Sequence, residues 1–471
     1  MGNAGRMAYG STAQKGNSSA VVVLWVLFFF CSVLPLPVPN GYDWVFALVI
    51  FLVIFSKQIY LVCKFIIDTP LVNCWLIAVE VIGFSFLLTF ILFVKITFLF
   101  YAVTFCLVIP LAYAVFQRFG AERVVFELSK GFYIAFVILL AVSFIFGPPY
   151  KADIQYSAIF SNPNEFGYIL TSVMPCIGYF LVKSAKENKG YQYLHIASIA
   201  LVVIMSIMTG SRTTQLSLVP QIIVVLVLLL RLPRFRKNET GGSATIWNGL
   251  LTGVLVFVIA SSATVGAFTV GKHALETCAG VTSEHALVAS VSPNVENGLE
   301  AMVESVSTRY SKGMSDGNIN DFSSGRLGIF ASFMQDIDIL GHESETKQVV
   351  SGWRFYEHTY AHNVFIQVAY SAGLFAGVAM FFIAVFSLFR SIIVLQEKEI
   401  VRGSWSAVSC VAFSACAVTG FFIYALFGDG YAMFKYLPAS VFWIASAALC
   451  SLSMRMRCRQ KEFEPHQQCC L

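Results

Sequence analysis

Charge is scarce in this chain. Of 471 residues only 12% are charged, 57% are hydrophobic and the mean hydropathy is +0.74. A soluble domain carries roughly 25% charged residues, so a soluble globular protein is excluded. The nucleotide-binding glycine motifs are missing: there is no P-loop and no Rossmann fingerprint, which argues against ATP-driven transport. There is no HExxH and no cysteine cluster with metal-ligand spacing. Twelve cysteines are present, yet only Cys278 falls in the one large polar segment, so no disulfide framework can form there. The others read as small buried apolar residues, and the terminal Cys-Cys-Leu is not a prenylation box, because Gln468 stands fourth from the end. A secretory cleavage site is lacking too: the first apolar block ends in LPLPVPNGYDW and a second follows at once.

What the chain does have is apolar blocks of about 17 to 25 residues, enough to carry a helix across roughly 30 Å of hydrocarbon. A β-barrel would instead alternate over about ten residues. The expected fold is therefore an all-α polytopic membrane protein. Twelve spans are predicted at 20–36, 43–63, 71–94, 97–117, 131–148, 166–182, 191–208, 215–231, 246–269, 363–389, 405–427 and 433–453. Only Lys95 and its neighbours separate the third from the fourth.

Lys and Arg orient the chain, since positive residues in short loops stay cytoplasmic. With both termini inside, the cytoplasmic segments hold 21 of the 31 basic residues and every inside connection is basic. The net charge of +5 then belongs to the lipid-facing cytoplasmic side, not to a nucleic-acid surface. A single integral domain, 1–471, thus carries one large inserted loop at 271–361, which the orientation puts outside. Structureless loops of that length are uncommon unless functional. Apolar spacing predicts short helices at 294–309 and 326–337, and acidic residues outnumber basic ones twelve to six. Phosphate chemistry on so acidic a loop has to rest on individually placed arginines.

Four patterns lie on that outward side: SNPNEFG at 161–167, TGSRTT at 209–214, SSGRLGIF at 323–330 and AHNVFIQVAYSAGL at 361–374. Arg212 is the only basic residue in its connection and sits among Ser and Thr donors. Its planar fork suits a diphosphate at the lipid surface, and snorkelling is the bland alternative. His362 opens the tenth predicted span, where the positive end of a helix keeps an imidazole neutral and able to accept a proton. Asn363 beside it suits capping or orienting the ring. Arg326 opens a predicted helix, an electrostatically unfavourable position that implies some other requirement. Asn162 and Asn164 fit turn chemistry as readily as a binding role. Glu80 is a carboxylate inside the third span, with a structural hydrogen bond as its simplest explanation. Asp429 and Lys435 flank the last span, able to pair with each other or to meet a substrate.

These patterns, in this order, resemble the O-antigen ligase and polysaccharide polymerase family of bacterial envelopes. The likeness covers about 161–374 and rests most on SGR, the Gly341-His342 pair, and Ala361-His362-Asn363 followed by Gly373-Leu374. The resemblance implies a GT-C-like glycosyltransferase of the inner membrane that uses neither nucleotide sugar nor metal and needs no cofactor. A glycan on undecaprenyl diphosphate would be transferred at the periplasmic face to a hydroxyl of another glycan or of the lipid A core. Its functional arginines fall on Arg212 and Arg326, with Arg309 a rival for the loop position, and its histidine on His362. Arg354, Asn363, Asn162, Asn164 and Lys435 are the remaining substrate-binding candidates. A polymerase is favoured over a ligase because the NPN and SGR patterns look most like polymerases, and other polysaccharide-assembly proteins and membrane lipids are expected partners. A secondary transporter is the alternative of another class, and it predicts internal repeats and broken helices around a midplane site.

Overall fold

The computed structural model describes residues 18–34, 44–65, 73–146, 156–160, 162–187, 190–232, 326–351, 354–397, 404–428 and 430–467. Within these the long apolar runs are helices, because in lipid each backbone N–H and C=O has to find its partner inside the segment. They are α1 (Ser18–Cys31), α2 (Trp44–Phe65), α3 (Cys74–Phe93), α4 (Ile96–Phe119), α5 (Glu122–Phe146), α6 (Pro163–Lys186), α7 (Gln192–Thr209) and α8 (Arg212–Arg231). Then follow α9 (Arg326–Gln335), β1 (Lys347–Ser351), β2 (Arg354–Thr359), α10 (Val364–Ala372), α11 (Leu374–Gln396), α12 (Trp405–Phe427) and α13 (Leu437–Gln467).

Eight of these helices are long and apolar enough to cross a membrane, and Ser19–Cys31, Trp44–Ser56 and Leu437–Leu452 are shorter apolar helices. The chain is a multi-pass, all-α membrane protein. The ninth predicted span at 246–269, the helix at 294–309, Arg309 and Asp429 lie outside the described residues. The third and fourth spans are separate helices, divided at Val94, which takes a left-handed φ of 54°, and Lys95. The fifth starts well before its predicted edge because the Arg123–Glu127 pair, one turn apart at 3.0 Å, carries a charged first turn.

The tenth predicted span is not one helix. Gly373, at φ 95°, breaks it into α10 and α11. A continuous helix would set Phe365 and Phe381 about 24 Å apart, yet their rings meet edge to face at 5.3 Å. Gly377 makes this possible, since a Cβ there would lie 2.4 Å from the Ala369 Cβ and 3.0 Å from the Phe365 carbonyl oxygen. α10 therefore folds back alongside α11, and His362 and Asn363 lie beside the upper turns of α11 rather than at its tip.

The centre of the bundle is α12 packed against α6 and α8. Pro175 in α6 has no N–H and leaves the Thr171 carbonyl without its helical donor. The Gln221 amide of α8 donates to that carbonyl at 3.2 Å. Gly420 of α12 provides the space, since a Cβ there would sit 1.9 Å from Gln221 Nε2. A second packing centre is aromatic: Trp25 and Phe28 of α1, Phe51 and Phe55 of α2, and Phe132 of α5 meet mostly edge to face.

The segment before β1 ties down the end of the bundle where α3, α6, α8, α10 and α11 turn. The Thr89 hydroxyl donates to the Leu340 carbonyl at 3.0 Å and the Leu374 N–H to the Asp338 carbonyl at 2.9 Å. We call this the loop end. The opposite end holds Lys183 over the rings of Phe126 and Trp405, and Arg231, which donates to the Leu395 carbonyl. β1 and β2 form a small antiparallel hairpin in the loop, which the sequence reading missed. α9, in contrast, lies where apolar spacing predicts it.

Candidate functional site

The N-termini of α6, α8, α9 and α10 are among those that meet at the loop end, so unpaired N–H groups and positive dipole ends gather there. Asn162 caps α6, its side chain accepting the Asn164 N–H at 2.9 Å, so both residues take the turn-and-cap role. The first turn of α6 lies on that of α8: a Cβ on Gly167 would be 2.1 Å from the Thr214 hydroxyl. Between α7 and α8 the chain reverses through Gly210, at φ 62°, so that Arg212 is the first residue of α8 and is half-buried. Thr213 and Thr214 beside it are buried, and the Thr214 hydroxyl donates to Ser211 at 3.0 Å.

Arg326 joins this group. Its Nη1 donates to the Thr213 hydroxyl at 3.2 Å and to the Phe427 carbonyl, the last of α12, at 2.9 Å. The positive charge that disfavours the start of α9 thus faces the negative end of α12, where unpaired carbonyls collect. That supplies the requirement which the sequence left open. Among the described residues, no hydrogen bond uses Nε or Nη2 of Arg326.

Asn363 caps α10, accepting the N–H groups of Phe365 at 3.0 Å and Ile366 at 3.1 Å. Its amide donates to the Leu426 carbonyl at 3.2 Å, next to the carbonyl that Arg326 holds. His362, directly before this cap, is half-buried and takes a left-handed φ of 50°. The turn is held by Gln367, whose side-chain oxygen accepts the Ala361 N–H at 2.7 Å while its amide donates to the Glu345 carbonyl at 2.8 Å.

Lys435 is engaged by the protein itself. Its ammonium pairs with Glu345 at 3.4 Å and donates to the Tyr101 hydroxyl at 3.3 Å, while the Tyr431 hydroxyl donates to the other Glu345 oxygen at 2.7 Å. Burial works against the ammonium, but the surrounding Tyr436, Glu345 and Tyr360 raise its pKa overall. Burial first, then the Glu345 charge, holds the Tyr431 hydroxyl well above the usual tyrosine range. Lys435 is thus a strut between the loop and the link that joins α12 to α13. Arg354 opens β2 opposite Ser351 at the turn of the hairpin.

His342, the histidine of the Gly-His pair, stacks on the Tyr370 ring at 4.1 Å. Its Nδ1 lies 2.9 Å from the Tyr370 carbonyl oxygen, which can only accept, so Nδ1 carries the proton and Nε2 is the basic nitrogen. Glu345, Gln367, Tyr431 and Thr213 escaped the sequence reading. Gln367 lies inside the AHNVFIQ pattern and Thr213 inside TGSRTT, whereas nothing separates Glu345 from the other acidic residues of the loop. Among the described residues, no group of three or more His, Cys, Asp or Glu side chains is placed to hold a metal.

In comparisons with known proteins, no family model, no curated protein and no solved structure matches the chain.

Proposed function

We propose that this chain is a GT-C-like polymerase of bacterial envelope polysaccharides, working on repeat units carried by undecaprenyl diphosphate. In this reading it has twelve spans in the inner membrane, both termini are cytoplasmic and the loop end faces the periplasm. The observation that carries it is the hydrogen-bonded junction at the end of α12. There Arg326 bonds Phe427 and Thr213, the neighbour of Arg212, while Asn363, the neighbour of His362, bonds Leu426. Patterns some 150 residues apart thereby meet, in a chain whose resemblance assigns those same arginines and histidine to one reaction.

The chemistry follows from these groups. Arg212 and Arg326, with the helix N-termini about them, suit the two charges of a diphosphate. The acceptor hydroxyl attacks the anomeric carbon, the bond from that carbon to the diphosphate oxygen breaks, and the diphosphate departs as an anion. His362 takes the hydroxyl proton. A single displacement inverts the anomeric configuration. Each arginine contributes on the order of a few kcal/mol to the transition state. Pro175 in α6 does not favour a transporter, because the carbonyl that it frees is occupied by Gln221.

Deletion of the gene followed by electrophoresis of surface glycans tests this reading. Loss of a polymerase leaves one repeat unit on the final carrier. Long chains retained on undecaprenyl diphosphate would indicate a ligase, and unchanged glycans would remove both.

A further inference from the structure

The segment at 337–343 carries two apolar side chains that stand exposed among the described residues. Ile339 is 58% and Leu340 46% exposed, although both stand in a loop. Their backbone is fixed to the spans. Thr89 of α3 bonds the Leu340 carbonyl, and the glycine at 373, ahead of α11, allows the Ile339 carbonyl so close that a Cβ would lie 1.9 Å from it. The neighbouring outward residues of those helices are Ile91 and Leu92 on α3, and Leu374 and Phe375 on α11, all apolar and exposed. The Ile339 and Leu340 side chains therefore continue the lipid-facing belt of α3 and α11, with the exposed Asp338, whose carboxylate accepts the Ile339 N–H at 2.6 Å, at its polar edge. The polar boundary comes just beyond it, at the Lys95–Glu343 ion pair of 3.3 Å, whose side chains are both exposed.

We infer that Ile339 and Leu340 are seated in the lipid leaflet at the loop end, against the acyl chains just below the headgroups. Burying two such side chains in hydrocarbon is favourable by the same apolar transfer that anchors interfacial segments. The charges around them select the lipid. Among the described residues of this segment and its ion-pair partners, Asp336, Glu343 and Glu345 are paired with Lys347, Lys95 and Lys435, and Asp338 is a fourth carboxylate beside Ile339. An excess of carboxylate repels anionic headgroups, so the fitting partner is a zwitterionic lipid such as phosphatidylethanolamine.

The test uses the full chain in vesicles of phosphatidylethanolamine and phosphatidylcholine, with the photo-crosslinker p-benzoylphenylalanine placed singly at Ile339, at Phe375 of the belt and at the exposed, polar Ser344. Mass spectrometry after irradiation should find lipid adducts at 339 in a yield close to that at 375, with several-fold less at 344. Replacing half of the lipid by phosphatidylglycerol should not raise the yield at 339. The proposal is overturned if 375 gives lipid adducts and 339 does not, if 339 and 344 react alike, or if the adduct at 339 is a second copy of the chain.

Discussion

The centre of the bundle and its loop end use polar side chains for opposite purposes. At the centre, Gln221 bonds the carbonyl freed by Pro175 and is enclosed by Gly420, with no exposed surface. Its amide mends a broken helix. At the loop end Arg212, Arg326 and His362 are half-buried, and each keeps part of its surface open. The Gln221 amide nitrogen is spent on a protein partner, because an unpaired backbone carbonyl in hydrocarbon is costly, whereas groups at the interface can bind something that arrives. Changes at the centre should cost stability, and changes at the loop end should cost function.

The largest expected effect is at His362. The variant His362→Asn keeps a residue that tolerates the left-handed backbone but has no base. Turnover of a lipid-linked oligosaccharide by the purified protein should fall about 10²- to 10⁴-fold, while the melting temperature in detergent changes little. A fall in melting temperature with normal turnover per folded molecule would erase the contrast. Next comes Arg212→Ala, for which a loss of about 10²- to 10³-fold is expected, with Arg212→Lys recovering little because a point charge cannot replace the fork. Near-normal turnover by the lysine variant would refute a diphosphate contact.

At the centre, Gln221→Leu leaves the Thr171 carbonyl unsatisfied and should destabilise the protein by about 1–3 kcal/mol. Chemical denaturation in mixed micelles would measure this, and turnover per folded molecule should stay at the wild-type level. Gly420→Ala should act in the same direction, because its Cβ would overlap the Gln221 amide.

Lys435→Met is an intermediate case, since the pair with Glu345 is polar but structural. It should cost about 1–2 kcal/mol, less than a fully buried pair because both side chains retain some exposure. The pH dependence has a definite sign. A lysine pKa raised in the folded state gives stabilisation that is complete below the unfolded lysine value and lost only as pH rises through the folded one. The difference between wild type and Lys435→Met should therefore be flat between about pH 6 and 9, and a midpoint within that range would show that the ammonium is not held as described.

The sequence by itself determined the membrane class, the positions of most helices, the separation of α3 from α4, and α9 within the loop. Those features depend on local hydrophobicity and on the need for internal hydrogen bonding in lipid, which any apolar run of about 20 residues expresses. It also singled out Arg212, Arg326 and the His362-Asn363 pair, because charges, caps and turn residues stand out against an apolar background. Tertiary structure alone decided how these residues meet. The sequence reading ran one span through Gly373, and only the structure shows the break there and the folding back of α10 along α11; Gly377, the fourth residue of α11, allows that close approach. The bonds from Gln221 to Thr171, 50 residues away, and from Lys435 to Glu345, 90 residues away, depend on which helices become neighbours and at what register. High hydropathy is common to all the long apolar helices and cannot encode that choice, which is made by where small residues let backbones approach and where a freed carbonyl finds a donor.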